Sequence, residues 1–196
     1  MLLRWFDWLR SLFRTAPLDV PTTPSTRGNL GLRALDVART QIGVAESTGR
    51  NDGQQIARYF NGCTRRSKTG KELPTGWQSG WDWCAAFASW CVYEAAKNGA
   101  QPSHGRRITV WELIRDARET GAWQDVSAWG DGPSAGDLVC FRRGGDPRIE
   151  GQTGHVSRCV SFDGGRLVTI GGNEINQVRE SDVTFDLPRV VGVIRY

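Results

Sequence analysis

Apolar residues recur at helical spacing through the first half of the chain and gather into short β-type runs in the second. In residues 1–14, Leu2, Trp5, Phe6, Leu9, Leu12 and Phe13 share one helical face and Arg4, Asp7, Arg10, Ser11 and Arg14 the other, predicting an amphipathic helix with a basic polar side. Charges interrupt it too often for the apolar core of a secretory signal, and it is too short and polar to span a bilayer. Trp5, Phe6, Leu9, Arg10 and Phe13 would contact an outer- or inner-membrane surface or a partner protein, or pack on the chain itself. Residues 15–29 hold Pro17, Pro21 and Pro24 among Thr and Ser, a composition that resists helix and strand and predicts an extended linker. A globular domain over 30–196 follows.

Within it, Leu32, Leu35, Ala38 and Ile42 predict a helix stopped by Gly43, and Ile56, Tyr59 and Phe60 a short second one after the turn at Asn51-Asp52-Gly53. Residues 62–80 are polar and Gly-rich, a loop long enough to be functional or mobile. Trp81 to Cys91 predicts the next helix: Asp82 suits the N-cap, Ala85, Ala86 and Ala88 favour helix, and Phe87, Trp90 and Cys91 recur at its period. Asn98-Gly99 would close it, and Trp111, Leu113, Ile114 and Ala117 predict another helix ending near Gly121. Beyond Gly132-Pro133, strands are predicted at Asp137–Phe141, His155–Phe162, Arg166–Ile170 and Val190–Tyr196, with Asp163-Gly164-Gly165 as a hairpin turn. The period of two puts His155, Ser157 and Cys159 on one face, expected to look toward the Trp81–Cys91 helix, and would bring Asn173 beside His155.

Composition narrows the picture. The chain has 196 residues, 39% hydrophobic, which suits one globular domain and a short appendage. Its formal charge of +4 favours approach to an anionic surface, but the charges are scattered and no nucleic-acid partner is expected. Nine Trp are unusual, and several lie outside any clear core stripe, so some are expected to line a cleft where flat sugar or peptide faces stack and most to be core. Five cysteines without regular spacing do not read as a disulfide framework. With no CxxC pair and only His104 and His155, neither a metal site nor another cofactor is expected.

The chemistry centres on Cys84. In the first turn of a helix, a thiolate is stabilised by unpaired backbone N–H groups and the positive end of the helix dipole, although a free cysteine is more commonly a small buried hydrophobe. His155 in Gly-His-Val and Asn173 in Gly-Gly-Asn supply, in order, a base and an orienter for a nucleophilic thiol. His104, in Pro-Ser-His-Gly-Arg-Arg, reads as a solvated loop histidine, and Glu46 as a solvated carboxylate.

Trp-Cys-Ala-Ala-Phe at 83–87, Gly-Asp-Leu-Val-Cys-Phe at 136–141, Gly-His-Val at 154–156 and Thr-Ile-Gly-Gly-Asn at 169–173 together resemble the CHAP and NlpC/P60 group of papain-like cysteine peptidases and amidases that cleave bacterial peptidoglycan. The resemblance covers roughly residues 30 to 196 and implies an α+β papain-like fold, helices packed on a small antiparallel sheet or half-barrel. It implies Cys84, His155 and Asn173 as catalytic residues. Gln78, six residues before Cys84, resembles the glutamine whose amide supplies one donor of a papain-like oxyanion hole; the Cys84 N–H would be the other, which requires Asp82 to cap Ala85 instead. The family often carries an acid two positions before the asparagine, where this chain has Gly171; Glu174 is the reserve orienter, although an ideal strand would point it to the opposite face.

The implied activity is hydrolysis of an amide bond of the peptidoglycan stem peptide or of its N-acetylmuramoyl-L-alanine link, in a phage endolysin made in the cytoplasm and released to the wall. The alternatives are an amidase effector delivered by a secretion system, a thiol acyltransferase or deamidase on the same fold, and a silent wall-binding module.

Overall fold

The computed structural model describes residues 26–196 except Lys68 and Trp129, with the side chains of residues 26–29 excluded. The amphipathic 1–14 stretch, with Trp5, Phe6, Leu9, Arg10 and Phe13, and residues 15–25 of the expected linker lie outside the described residues. The last four positions assigned to that linker instead open the first helix, α1 (Thr26–Arg39).

In α1 the buried stripe is Leu30, Ala34, Leu35 and Ala38, an i, i+4, i+5, i+8 pattern, while Leu32 is 49% exposed. The apolar face is therefore turned from the one expected, and Ile42 lies beyond the helix end. Helix α2 (Gln54–Tyr59) buries Ile56 and Tyr59. The expected long loop contains a hairpin of β1 (Thr64–Arg66) and β2 (Glu72–Pro74). Its Glu72 is held by Arg107, which also grips Asp116 at 2.6 Å. Helix α3 (Cys84–Ala95) buries nine of its twelve residues, as an apolar helix enclosed on several sides must. Helix α4 (Val110–Glu119) lies beside it and shares a core cluster with it.

The sheet is antiparallel throughout, in the order β3-β8-β4-β5-β6-β7. Its strands are β3 (Trp123–Asp125), β4 (Leu138–Arg142), β5 (Gly154–Phe162), β6 (Leu167–Glu174), β7 (Gln177–Asp182) and β8 (Val190–Ile194). The two edge strands, β3 and β7, are the ones the hydrophobic pattern misses. β7, Gln-Val-Arg-Glu-Ser-Asp, buries only Val178, the polar composition that protects an edge from pairing with other chains. Helices α3 and α4 cover one sheet face through Leu138, Cys140, Val156, Val191 and Ile194; Val139, Cys159, Leu167 and Val193 pack on the other. The architecture is the expected α+β fold, helices on a six-stranded antiparallel sheet. Among the described residues no helix is long and apolar enough to cross a membrane.

Candidate active site

Cys84 is the first residue of α3 and is 4% exposed. The expected Asp82 cap is absent: Trp83 holds the N-cap position, no side chain caps the helix, and Asp82 instead accepts from the Asn173 amide at 3.1 Å. The first N–H groups of α3, that of Cys84 included, therefore have no side-chain acceptor among the described residues, and the positive end of the helix falls at the thiol. Trp83 is fully buried, and its indole donates to Glu46 Oε1 at 2.9 Å. Glu46 Oε2 accepts from the Asn51 N–H at 2.7 Å, so this carboxylate is an anchor rather than a solvated loop charge.

His155 enters from β5. The alternation along this strand is as expected, but the faces are reversed. Val156 packs with Cys84, Ala85 and Ala88, and Arg158 donates to the Ala88 carbonyl at 3.4 Å, whereas Cys159 belongs to the far face. Periodicity sorts residues into two faces without naming the one that meets the helix. His155 leaves the strand on the Phe141 side, the two rings 6.2 Å apart, yet stands near enough to Cys84, at the start of α3, for the thiol to favour its protonated form.

The orienter is where the structure departs most from expectation. Asn173 is buried against Asp82, while Glu174 Oε1 lies 3.2 Å from His155 Nε2. An unbroken strand would place Asn173 on the His155 side and turn Glu174 away. Asn173 instead adopts φ +58°, a left-handed conformation asparagine tolerates, and the β6–β7 register shifts between Gly171 and Glu174, so strict alternation ends there. Sequence reasoning held Glu174 only in reserve because no residue pattern announces such a bulge.

Ser157 donates to Glu174 Oε1 at 2.7 Å and lies 3.0 Å from His155 Nε2, and Ser181 donates to Glu174 Oε2 at 2.8 Å. Neither serine was singled out from the sequence; Ser157 was legible only as a residue on the His155 face. With Glu174 and Ser157 both accepting at Nε2, that nitrogen carries a proton and Nδ1 is left for the thiol. Arg143 Nη1 also approaches Nδ1, at 3.3 Å.

Burial alone would lower the His155 pKa, but hydrogen bonds and charge attraction from Cys84 and Glu174 outweigh it and raise it to about 9. Burial raises the Glu174 carboxyl, yet hydrogen bonds from His155, Ser157 and Ser181 and the imidazolium charge hold it below the usual carboxylate range. Burial pushes the thiols of Cys63 and Cys159 up to about 11 and about 12, and raises those of Cys91 and Cys140 as well. Those four are core packing residues.

Gln78 is exposed in the loop before α3 and makes no side-chain hydrogen bond among the described residues; only its carbonyl is engaged, by the Trp81 N–H at 3.3 Å. His104 is not a solvated loop histidine. It is 4% exposed, its ring bonded to Tyr196 Oη and, at 2.7 Å, to the Gly105 carbonyl, and burial lowers its pKa to about 4. Among the described residues no group of three or more His, Cys, Asp or Glu could hold a metal ion. Of the tryptophans expected at a cleft, Trp77 is exposed on the loop before α3, while Trp83 is core. A cleft of about 360 Å³ opens beside His155 and Glu174, walled by β4, β6, β7 and the segment before β8.

No curated protein sequence matches the chain. Among solved structures it is similar to NlpC1 from Trichomonas vaginalis, at 17% identity and TM-score 0.47, covering 86% of this chain and 44% of that one. It is similar to Ly7917 bound to the hydrolysis product of MDP, at 18% identity and TM-score 0.45, covering 84% of this chain and 62% of that one. It is also similar to the peptidoglycan hydrolase RipB from Mycobacterium tuberculosis, at 17% identity and TM-score 0.45, covering 96% of this chain and 77% of that one. The chain thus spans less than two thirds of the first two of these proteins. The CHAP domain family matches residues 74–173, half of the chain, a span that holds Cys84, His155 and Asn173 and stops one residue short of Glu174; the chain belongs to the CHAP domain family.

Proposed function

We propose that the chain hydrolyses an amide bond of peptidoglycan, in the stem peptide or at the N-acetylmuramoyl-L-alanine link, through a Cys84–His155–Glu174 triad. The observation that carries this reading is the convergence of the three groups: a thiol at an uncapped helix start, close to an imidazole whose protonated form it favours and whose Nε2 is held by a carboxylate. Cys84 sulfur attacks the amide carbonyl carbon, and the carbonyl oxygen takes up negative charge facing the free N–H groups of the helix start. His155 gives its Nδ1 proton to the departing amine as the C–N bond breaks, leaving a thioester. It then takes a proton from water, whose oxygen attacks the thioester and restores Cys84.

Asn173 donates to Asp82 and is not the orienter of the imidazole in this reading. Gln78, whose side chain makes no hydrogen bond among the described residues, would bring its amide to the oxyanion only on substrate binding. No step calls for a metal or another cofactor. The biological setting proposed is a phage endolysin, made in the cytoplasm and acting at the wall after release, with residues 1–14 as a membrane or partner contact.

Digestion of purified peptidoglycan by wild type and Cys84→Ala, with soluble products identified by mass, tests the proposal. New amino termini or freed stem peptides from wild type alone support it and name the bond. Products from neither protein, with Cys84 still labelled by thiol reagents, would transfer the site to acyl transfer or deamidation on another substrate.

A further inference from the structure

The ionic groups along the cleft beside His155 are mostly matched. Arg142 pairs with Asp146 at 3.1 Å, Arg189 with Asp186 at 3.1 Å, Asp182 with Arg166 at 2.7 Å, and Glu174 with His155. Two guanidinium groups are the exception among the described residues. Arg179 makes no hydrogen bond or ion pair, and Arg143 touches only His155 Nδ1 and, at 3.4 Å, the Asn173 carbonyl, neither of them an anion. Both line the cleft. Arg179 stands on β7 opposite Gly171 and two residues before Ser181, so it shares the face from which Ser181 reaches Glu174. Arg143 follows the last residue of β4, on the other side of His155. Two unmatched cations in a cleft whose other charges are paired make it attractive to an anion. The planar guanidinium fork matches a carboxylate in particular.

We infer that Arg143 and Arg179 form a carboxylate-binding subsite that selects peptides with a free carboxylate close to the scissile amide over their amidated counterparts. This rests on the peptidoglycan-hydrolase reading and adds to it the substrate feature that is recognised: an acidic stem peptide whose carboxylate has been left unblocked.

The test uses the full chain and two synthetic stem peptides that differ only in one carboxylate replaced by a carboxamide. Wild type is expected to favour the free acid by about tenfold or more in kcat/KM, mostly through KM, with the ratio shrinking as salt is added. Arg179→Gln and Arg143→Gln should each reduce the ratio, and Arg179→Lys should keep part of it. The same comparison by calorimetric binding to Cys84→Ala reads the subsite without turnover. If neither peptide nor whole peptidoglycan is cleaved, the hydrolase reading falls, while the binding ratio still decides the subsite. Equal affinity for the two peptides, or a preference that both Gln substitutions leave unmoved, would overturn the inference.

Discussion

The carboxylate of Glu174 fills the space that a side chain at Gly171 would need. A Cβ on Gly171 would meet Glu174 Cδ at 2.8 Å and Oε1 more closely still, with Ser157 Oγ at 2.5 Å. The carboxylate comes from three residues further along the chain, around the turn that the left-handed Asn173 makes.

Gly171→Ala is therefore expected to push Glu174 off His155 without straining the backbone, since Gly171 is not among the residues with positive φ. A displacement near 1 Å at the triad should lower kcat/KM on the order of a hundredfold. Titration of the His155 ring by NMR should show its pKa falling in parallel. Unchanged turnover would mean that Glu174 has no part in holding the ring.

The pH profile carries a second expectation. His155 is raised to about 9 with Glu174 as one cause, so the imidazolium needed to protonate the leaving amine persists through neutrality and is lost as pH rises through that value. Glu174→Gln removes the anionic partner and should move the alkaline limb of kcat/KM toward the ordinary histidine range, near pH 6.5. The stability linkage has the same sign. Because the folded pKa exceeds the unfolded one, the ion pair's contribution is fully present below about pH 6.5 and disappears as pH rises through about 9. A wild-type profile with no alkaline limb, or a variant profile superimposable on it, would contradict this.

The residues of the proposed triad were legible to different degrees, for physical reasons. Cys84 and His155 announce themselves through local context: a thiol ahead of an apolar helix, and a histidine opening a strand. Glu174 does not, because its placement depends on a left-handed Asn173 and a register shift, both set by tertiary contacts such as the bond to Asp82. Neighbouring Gly172 belongs to the same problem: a Cβ there would stand 2.6 Å from the Trp83 ring, so its role becomes visible only with α3 packed on β6. Helix α1 was readable from periodicity because it buries one stripe, and α3, enclosed on several sides, from its run of apolar and helix-favouring residues. The edge strands β3 and β7 were not, because an edge strand need bury little.

His104 gives an acid-side counterpart. Burial lowers its pKa to about 4, below its unfolded value near 6.5, so between those limits the unfolded chain binds the extra proton and stability falls as pH falls. The loss across that window should be on the order of 3 kcal/mol. His104→Gln cannot take up this proton and should flatten the dependence of Tm on pH between about 6.5 and 4. A slope identical to wild type would show that other groups set the acid limit.

Glu46 offers a test of how the nucleophile is placed. Its Oε1 accepts the Trp83 indole N–H at 2.9 Å, and Trp83 immediately precedes Cys84. Glu46→Ala strands that buried donor, which should cost about 1–3 kcal/mol. The lost anchor should also let the start of α3 shift, lowering kcat and the rate of Cys84 alkylation together. Glu46→Gln keeps an acceptor oxygen and should recover most of both. The discriminating measurement is denaturant unfolding followed by tryptophan fluorescence, paired with iodoacetamide kinetics on the same three proteins. If Glu46→Ala loses stability but its thiol reacts like wild type, Glu46 serves the core alone; if neither changes, the bond to Trp83 contributes nothing that water does not replace.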